Sequence, residues 1–221
     1  MDILYFLTER TTFIRQFYAT AASPYLERMR KIEAEQEPYV PEYDDDCVEP
    51  PFLDEWLESS QSIATLAHIC VSMLAAALHL YFDAWVRYSG MEVPSSLKES
   101  IFKRKGWLSG YIEHFSQNLN IRFEDSNTNL ELLEEIVLAR NRSAHPSSIV
   151  DSSTRYNFSD LKKLSSPFFV HPIEWRLIAN HDSDELPAFF LPKIHVDEAK
   201  LHAAIDEVEK LANWFESKVA R

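Results

Sequence analysis

Arg140, Asn141 and His145 fall within about two helical turns of each other, near the end of the run Glu134-Glu135-Ile136-Val137-Leu138-Ala139-Arg140-Asn141-Arg142-Ser143-Ala144-His145-Pro146. They offer a fixed cation, an amide and a titratable imidazole, a minimal kit for phosphoryl transfer without a metal. On a helix, Asn141 and His145 are i,i+4 neighbours on one face, while Arg140 is rotated by about 100° from Asn141. Pro146 biases His145 away from the α region, which lets the last residue swing toward the arginine. The imidazole can then give up a proton or, when neutral, accept one.

This site needs a scaffold, and the apolar periodicity supplies one. Thr128 and Glu131 have the spacing of a capping box, predicting the start of the motif helix. Leu130, Leu132, Leu133, Ile136, Val137, Leu138 and Ala139 cover much of its circumference, so the polar end emerges from an apolar bed. Upstream, Leu7, Phe13, Ile14, Phe17, Tyr18, Ala21, Tyr25, Leu26, Met29 and Ile32 keep helical spacing, with Pro24 as a kink or a restart. A second long helix is predicted over 54–88, with Ile63, Leu66, Cys70, Met73, Leu74, Ala77, Leu78, Tyr81 and Trp85 on one broad face. Two long helices joined by one loop form an antiparallel pair. His68 and His79 flank that face and read as packed or surface histidines.

Between these helices, residues 35–52 combine four prolines with a dense acidic run, so they form an exposed loop. Asp44, Asp45 and Asp46 are consecutive and point in different directions, which suits a solvated linker better than a metal site. Ser96 and Glu99 have capping-box spacing for a third, shorter helix that ends near Lys105 and Gly106. Lys103-Arg104-Lys105-Gly106-Trp107 places the densest basic run beside an indole. That pattern reads either as an RNA-binding element, cations on the backbone and Trp107 on a base, or as an ordinary cationic helix end. A further helical segment follows over 108–118. From 147 to 196 the period changes to Ser- and Pro-rich runs that predict a small β-hairpin, on either side of 181–185, or an irregular insertion. Asp197 then caps a last helix carrying Leu201, Ile205, Val208, Leu211, Ala212 and Phe215.

Composition narrows the function classes. Three glycines in 221 residues argue against a turn-rich β fold and against a glycine-rich phosphate cradle. Cys47 and Cys70 lie in unlike contexts, an acidic loop and an apolar stripe, so a reducing, cytoplasmic setting is expected. The apolar window 63–86 is interrupted by His68, His79 and Asp83 and reads as a buried helix, so no membrane partner is expected. A net charge of −13 means that any nucleic-acid contact must use a local basic patch. The best metal-ligand spacing, Glu198 with His202 and His195, is too sparse for a metal centre, and no cofactor is expected.

Arg140-Asn141-Arg142-Ser143-Ala144-His145 resembles the Arg-x4-6-His signature of HEPN domains, all-helical modules in which a polar residue, often Asn, follows the arginine. The likeness extends to helix order over 1–146 and the last helix, and not to residue identity. A second match to the bare pattern, Arg176 to His181, lacks the polar residue and lies in the Pro-rich part. The resemblance implies an all-α, HEPN-like bundle spanning 1–221 as a single domain. It also implies a metal-independent endoribonuclease, a toxin or antiviral effector acting on RNA. Arg140, Asn141 and His145 would be catalytic, and Arg142, Lys103, Arg104, Lys105 and Trp107 would bind RNA. It further implies a homodimer with the motif at the interface and a cognate antitoxin or regulatory protein as partner. The subfamily paired with nucleotidyltransferases has a tyrosine two residues past the histidine; Ser147 stands there in this chain. The alternative is a non-catalytic helical dimer acting as an interaction or regulatory module.

Overall fold

The structure, a computed structural model, describes residues 2–41, 49–145, 153–178 and 190–219. Asp44, Asp45, Asp46, Cys47, Pro146, Ser147 and His181, together with the turn expected at 181–185, lie outside the described residues. What is described is mostly helical: α1 (Ile3–Glu33), α2 (Leu53–Ser89), α3 (95–105, with a π turn at Lys98–Phe102), α4 (Trp107–Leu119), α5 (Leu130–Ala144), α6 (Phe158–Leu161), α7 (Pro172–Ile178) and α8 (Glu198–Val219). The fold is therefore all-α.

The ends of α1 and α2 show that the two run antiparallel. Glu33 at the end of α1 accepts from Trp56 Nε1 at 3.0 Å, and Arg28 pairs with Glu58 at 2.8 Å. At the other end Ile3 and Leu7 lie against Ala77, Tyr81 and Ala84. Pro24 sits inside α1 without ending it. The last helix, α8, runs back along α1, with Thr11 donating to Glu209 and Arg15 paired with Asp206. It runs parallel to α2, since Tyr81 reaches Ala212 and Trp85 reaches Glu216. With α5 these helices form a bundle around α2, whose most apolar stretch, of mean hydropathy 1.9, would be long enough to cross a membrane. Its fully buried side, Cys70, Leu74, Leu78 and Phe82, faces the other helices. Burial pushes the free Cys70 thiol up to about 11, which makes it a packing residue and a poor nucleophile.

One end of the bundle is closed by rings. Phe82, Phe115, Phe123 and Phe215 join α2, α4, the 3-10 turn Phe123–Ser126 and α8, with Phe115 and Phe215 centred 4.8 Å apart. Gly110 admits the Phe102 ring of α3, which a Cβ would meet. Gly106, at φ +100, makes the corner between α3 and α4 in a region that side chains rarely adopt.

Two expected caps differ by a residue or two. The start of α5 is capped by Asn129, whose Oδ1 accepts from Leu132 N at 3.0 Å; Thr128 bonds Ser126, and Glu131 reaches out to Ser165 and Ser166. A better-placed neighbour with the same chemistry took the cap. At the start of α3 the N-cap position is Pro94, without a side-chain cap, and Ser96 lies within the helix. Asp197 does cap α8, accepting from Lys200 N at 2.7 Å.

The expected hairpin is not formed among the described residues. Trp175–Ile178 belongs to α7, and the described segments of the insertion meet in a single antiparallel bridge, Arg155 to Lys193. The insertion is nevertheless docked on α5. Glu135, 1% exposed, accepts from Tyr156 Oη at 2.8 Å, Phe169 N at 2.8 Å and Phe168 N at 2.6 Å. Arg142 pairs with Asp160 at 2.6 Å, and Glu134 with Lys163 at 3.8 Å. Tyr156, Phe169, Val170, Ile194 and Val196 thereby join the core of the bundle.

Burial pushes the Glu135 carboxyl up, against the lowering effect of its hydrogen bonds and of Lys200. Three donors aimed at two oxygens suit the ionised form. Glu135→Ala leaves all three donors, two of them buried, without their acceptor and should cost about 3 kcal/mol or more. Urea denaturation measures it. Glu135→Gln should lose less, because its single amide oxygen can still serve the two donors on Oε1.

Candidate functional site

Helix α5 ends at Ala144, and His145 is its first non-helical residue, with φ −132 and ψ 70. The departure from the α region is the one expected of a residue before proline. Its backbone N–H still bonds Asn141 O at 3.2 Å, which fixes the backbone while the side chain stands in solvent. Arg140 is exposed and donates from Nη1 to Asn141 Oδ1 at 3.0 Å. Asn141 thus steers the guanidinium across the rotation that separates the two positions on the helix. Among the described residues the His145 ring has no hydrogen bond to Arg140 or Asn141. The structure therefore couples Arg140 with Asn141 and leaves the imidazole beside them.

The remaining expected site residues are spread apart. Arg142 turns away from the motif to the buried Asp160, and its charge is spent on holding α6 to α5. Lys103 pairs with Glu99 at 3.0 Å, while Arg104 and Lys105 are exposed in the last turn before Gly106. Trp107 packs against the core, with His79 edge-on at 4.9 Å and Tyr111 at 6.2 Å. The His79 titration is lowered by burial first, then by Arg140, with Asp83 opposing. Among the described residues no three His, Cys, Asp or Glu side chains converge, and His195, Glu198 and His202 stay apart.

What the sequence did not suggest is the cavity that Arg140 enters. A groove of about 860 Å³ lies between α2, the end of α5 and the 153–154 and 190–196 segments of the insertion. Its α2 wall includes Thr65, His68, Ile69, Ser72 and Met73; Arg140, Ser143, Thr154, Lys193 and His195 are among the residues that line it from the other elements. Among the described residues that line it, none is an Asp or Glu, although the chain carries a net charge of −13. Lys103, Arg104, Lys105, Trp107 and His145 are not among them.

His68 fastens the far wall of the groove. Its Nε2 lies 3.0 Å from Ile194 O and its Nδ1 lies 3.0 Å from Thr154 Oγ1. A carbonyl only accepts, so Nε2 carries the proton, and in the neutral ring Nδ1 accepts from the threonine hydroxyl. Burial, the largest effect, lowers the His68 titration, with His195 adding to it and the Ile194 hydrogen bond opposing. The sequence held one hint: Thr65, His68 and Ser72 form a polar stripe on the flank of an apolar helix.

No family model matches the chain, and no curated protein or solved structure is significantly similar to it.

The titrations of His68, His79 and His114 are all lowered from 6.5 mainly by burial. The unfolded chain then binds more protons than the folded one below the unfolded value. Their stabilising contribution is complete above about pH 6.5 and is lost as pH falls from there through the folded values. The urea midpoint should fall between about pH 7.5 and pH 5.5, and His68→Gln should reduce that pH dependence. An unchanged dependence would show that His68 does not contribute.

Proposed function

We propose that the chain is a metal-independent endoribonuclease of the HEPN type, acting as a homodimer. The observation that carries this reading is Arg140. It stands at the end of a buried helix, is steered by Asn141, and opens into a groove whose described lining residues include no carboxylate, in an otherwise acidic chain. The long antiparallel pair α1–α2, followed by a motif helix, agrees with the helix order that the Arg-x4-6-His resemblance implies.

In this mechanism the ribose 2′-oxygen attacks the adjacent phosphorus while the bond from phosphorus to the 5′-oxygen breaks. The products are a 2′,3′-cyclic phosphate and a 5′-hydroxyl. His145 takes the 2′-hydroxyl proton, and the leaving oxygen gains one from a second imidazole or from water. Arg140 stabilises charge on the phosphorane oxygens. Asn141 keeps the guanidinium directed. The exposed imidazole, unbonded to its own Arg140, is available to a site shared by two copies. With Arg142 committed to Asp160, Arg140 supplies the motif cation in each copy. Lys103, Arg104 and Lys105 offer exposed charge for the RNA backbone away from the groove.

A second reading, a non-catalytic helical dimer that binds a regulatory protein, is favoured by that same lack of a hydrogen bond between His145 and Arg140 within one chain. One experiment separates the two. Pure protein in excess chelator should cleave mixed RNA, and Arg140→Ala and His145→Ala should each slow cleavage by about 100-fold or more without loss of fold. Intact RNA, or equal cleavage by the His145 variant, favours the interaction module. Sedimentation at micromolar concentration should give a dimer; a monomer counts against a shared site.

A further inference from the structure

We propose that the groove is a nucleotide-phosphate site in which Lys193 and His195, from the insertion, act together with Arg140. The inference deepens the ribonuclease reading and rests on it for RNA as the source of the nucleotide. The affinity for a nucleotide phosphate stands on the groove alone.

Size and charge point the same way. A volume of about 860 Å³ lies within the range of small-molecule sites, roughly 300–1,000 Å³. Arg140 enters from α5, and Lys193 and His195 come from the facing segment. Ala64, Ile69 and Met73 of α2 provide an apolar surface suited to a base. The hydroxyls of Ser72 and Ser143, which donate to the carbonyls of His68 and Ala139 at 2.9 and 3.0 Å, keep oxygen lone pairs for a ligand. Among the described residues, Asp197 lies 4.0 Å from His195 Nε2, and Glu174 accepts from the Lys193 backbone N–H at 3.2 Å. Neither lines the groove.

The insertion wall is held in place before any ligand arrives. Pro192, Ile194 and Val196 are buried while Lys193 and His195 are exposed, the alternation of an extended segment with one face in the core. Ile194 N donates to Thr154 O at 2.8 Å and His195 N to Phe169 O at 2.6 Å. His68 fastens the Ile194 carbonyl from the opposite wall at 3.0 Å. Lys193 and His195 are thus set on a fixed backbone, which reduces the ordering cost of binding.

The test uses the full chain carrying His145→Ala, so that cleavage does not consume the ligand. Binding is read by fluorescence anisotropy with a fluorescein-labelled single-stranded RNA hexamer, and by calorimetry with adenosine monophosphate. Lys193→Glu should weaken binding at least about tenfold and Lys193→Gln by less. Lys210→Glu, at an exposed cation of α8 outside the groove, should stay within about twofold. Binding of both ligands, each weakened by Lys193→Glu, supports RNA as the source. Binding of the monophosphate alone, weakened in the same way, supports the site with a free nucleotide as its ligand. Binding that both Lys193 variants leave unchanged, or no binding of either ligand, overturns the proposal. Wild-type cleavage of RNA alongside unchanged Lys193 variants leaves the ribonuclease reading standing and this one refuted. Lys193-dependent binding without wild-type cleavage does the reverse.

Discussion

A single buried carboxylate decides how the second half of this molecule sits on the first. Glu135 lies on α5 among Leu132, Leu133, Ile136 and Val137, a position that would be costly for an unpaired charge. It is tolerated because Tyr156, Phe168 and Phe169 converge on it with three donors. Without those segments the carboxylate would be a defect in the bundle; with them it becomes the anchor of the insertion. Arg142 with Asp160, and Glu131 with Ser165 and Ser166, extend the same polar seam along the helix.

The groove follows from that seam. Once the insertion is fixed to one side of α5, its returning segment crosses toward α2 and is fastened by His68, leaving a gap into which Arg140 opens. Two of the positive charges on α5 therefore have different fates although they are two residues apart. Arg142 is neutralised by a nearly buried aspartate, and Arg140, bonded to a neutral amide, keeps its field directed at the gap. A chain of net charge −13 can offer an anion a favourable surface only where carboxylates are kept away, and the described lining residues of this groove meet that condition.

Much of the helical frame could be read from residue spacing. The helix expected over 54–88 occupies Leu53–Ser89, and the segment expected over 108–118 occupies Trp107–Leu119. Both are long amphipathic runs in which each turn repeats the same apolar signal. The caps of α3 and α5 were less legible, because Asn129 and Thr128 offer the same chemistry one residue apart and backbone geometry chooses between them. The stretch 153–196 misled for a different reason. Short apolar runs such as Trp175–Ile178 fit a strand or a helix equally well until their packing partners are known.

The amino-acid sequence by itself determined the all-α class, the antiparallel pair, and the placing of Arg140, Asn141 and His145 at one helix end before a proline. These are local properties, set by periodicity over a few turns and by the stereochemistry of the residue before proline. Only the tertiary structure decided that Arg142 is bound to Asp160, that Trp107 packs under His79, and that Lys193 and His195 share a cavity with Arg140. Each of these joins residues from separate elements, and no spacing along one helix encodes which partner a charge or a ring will meet.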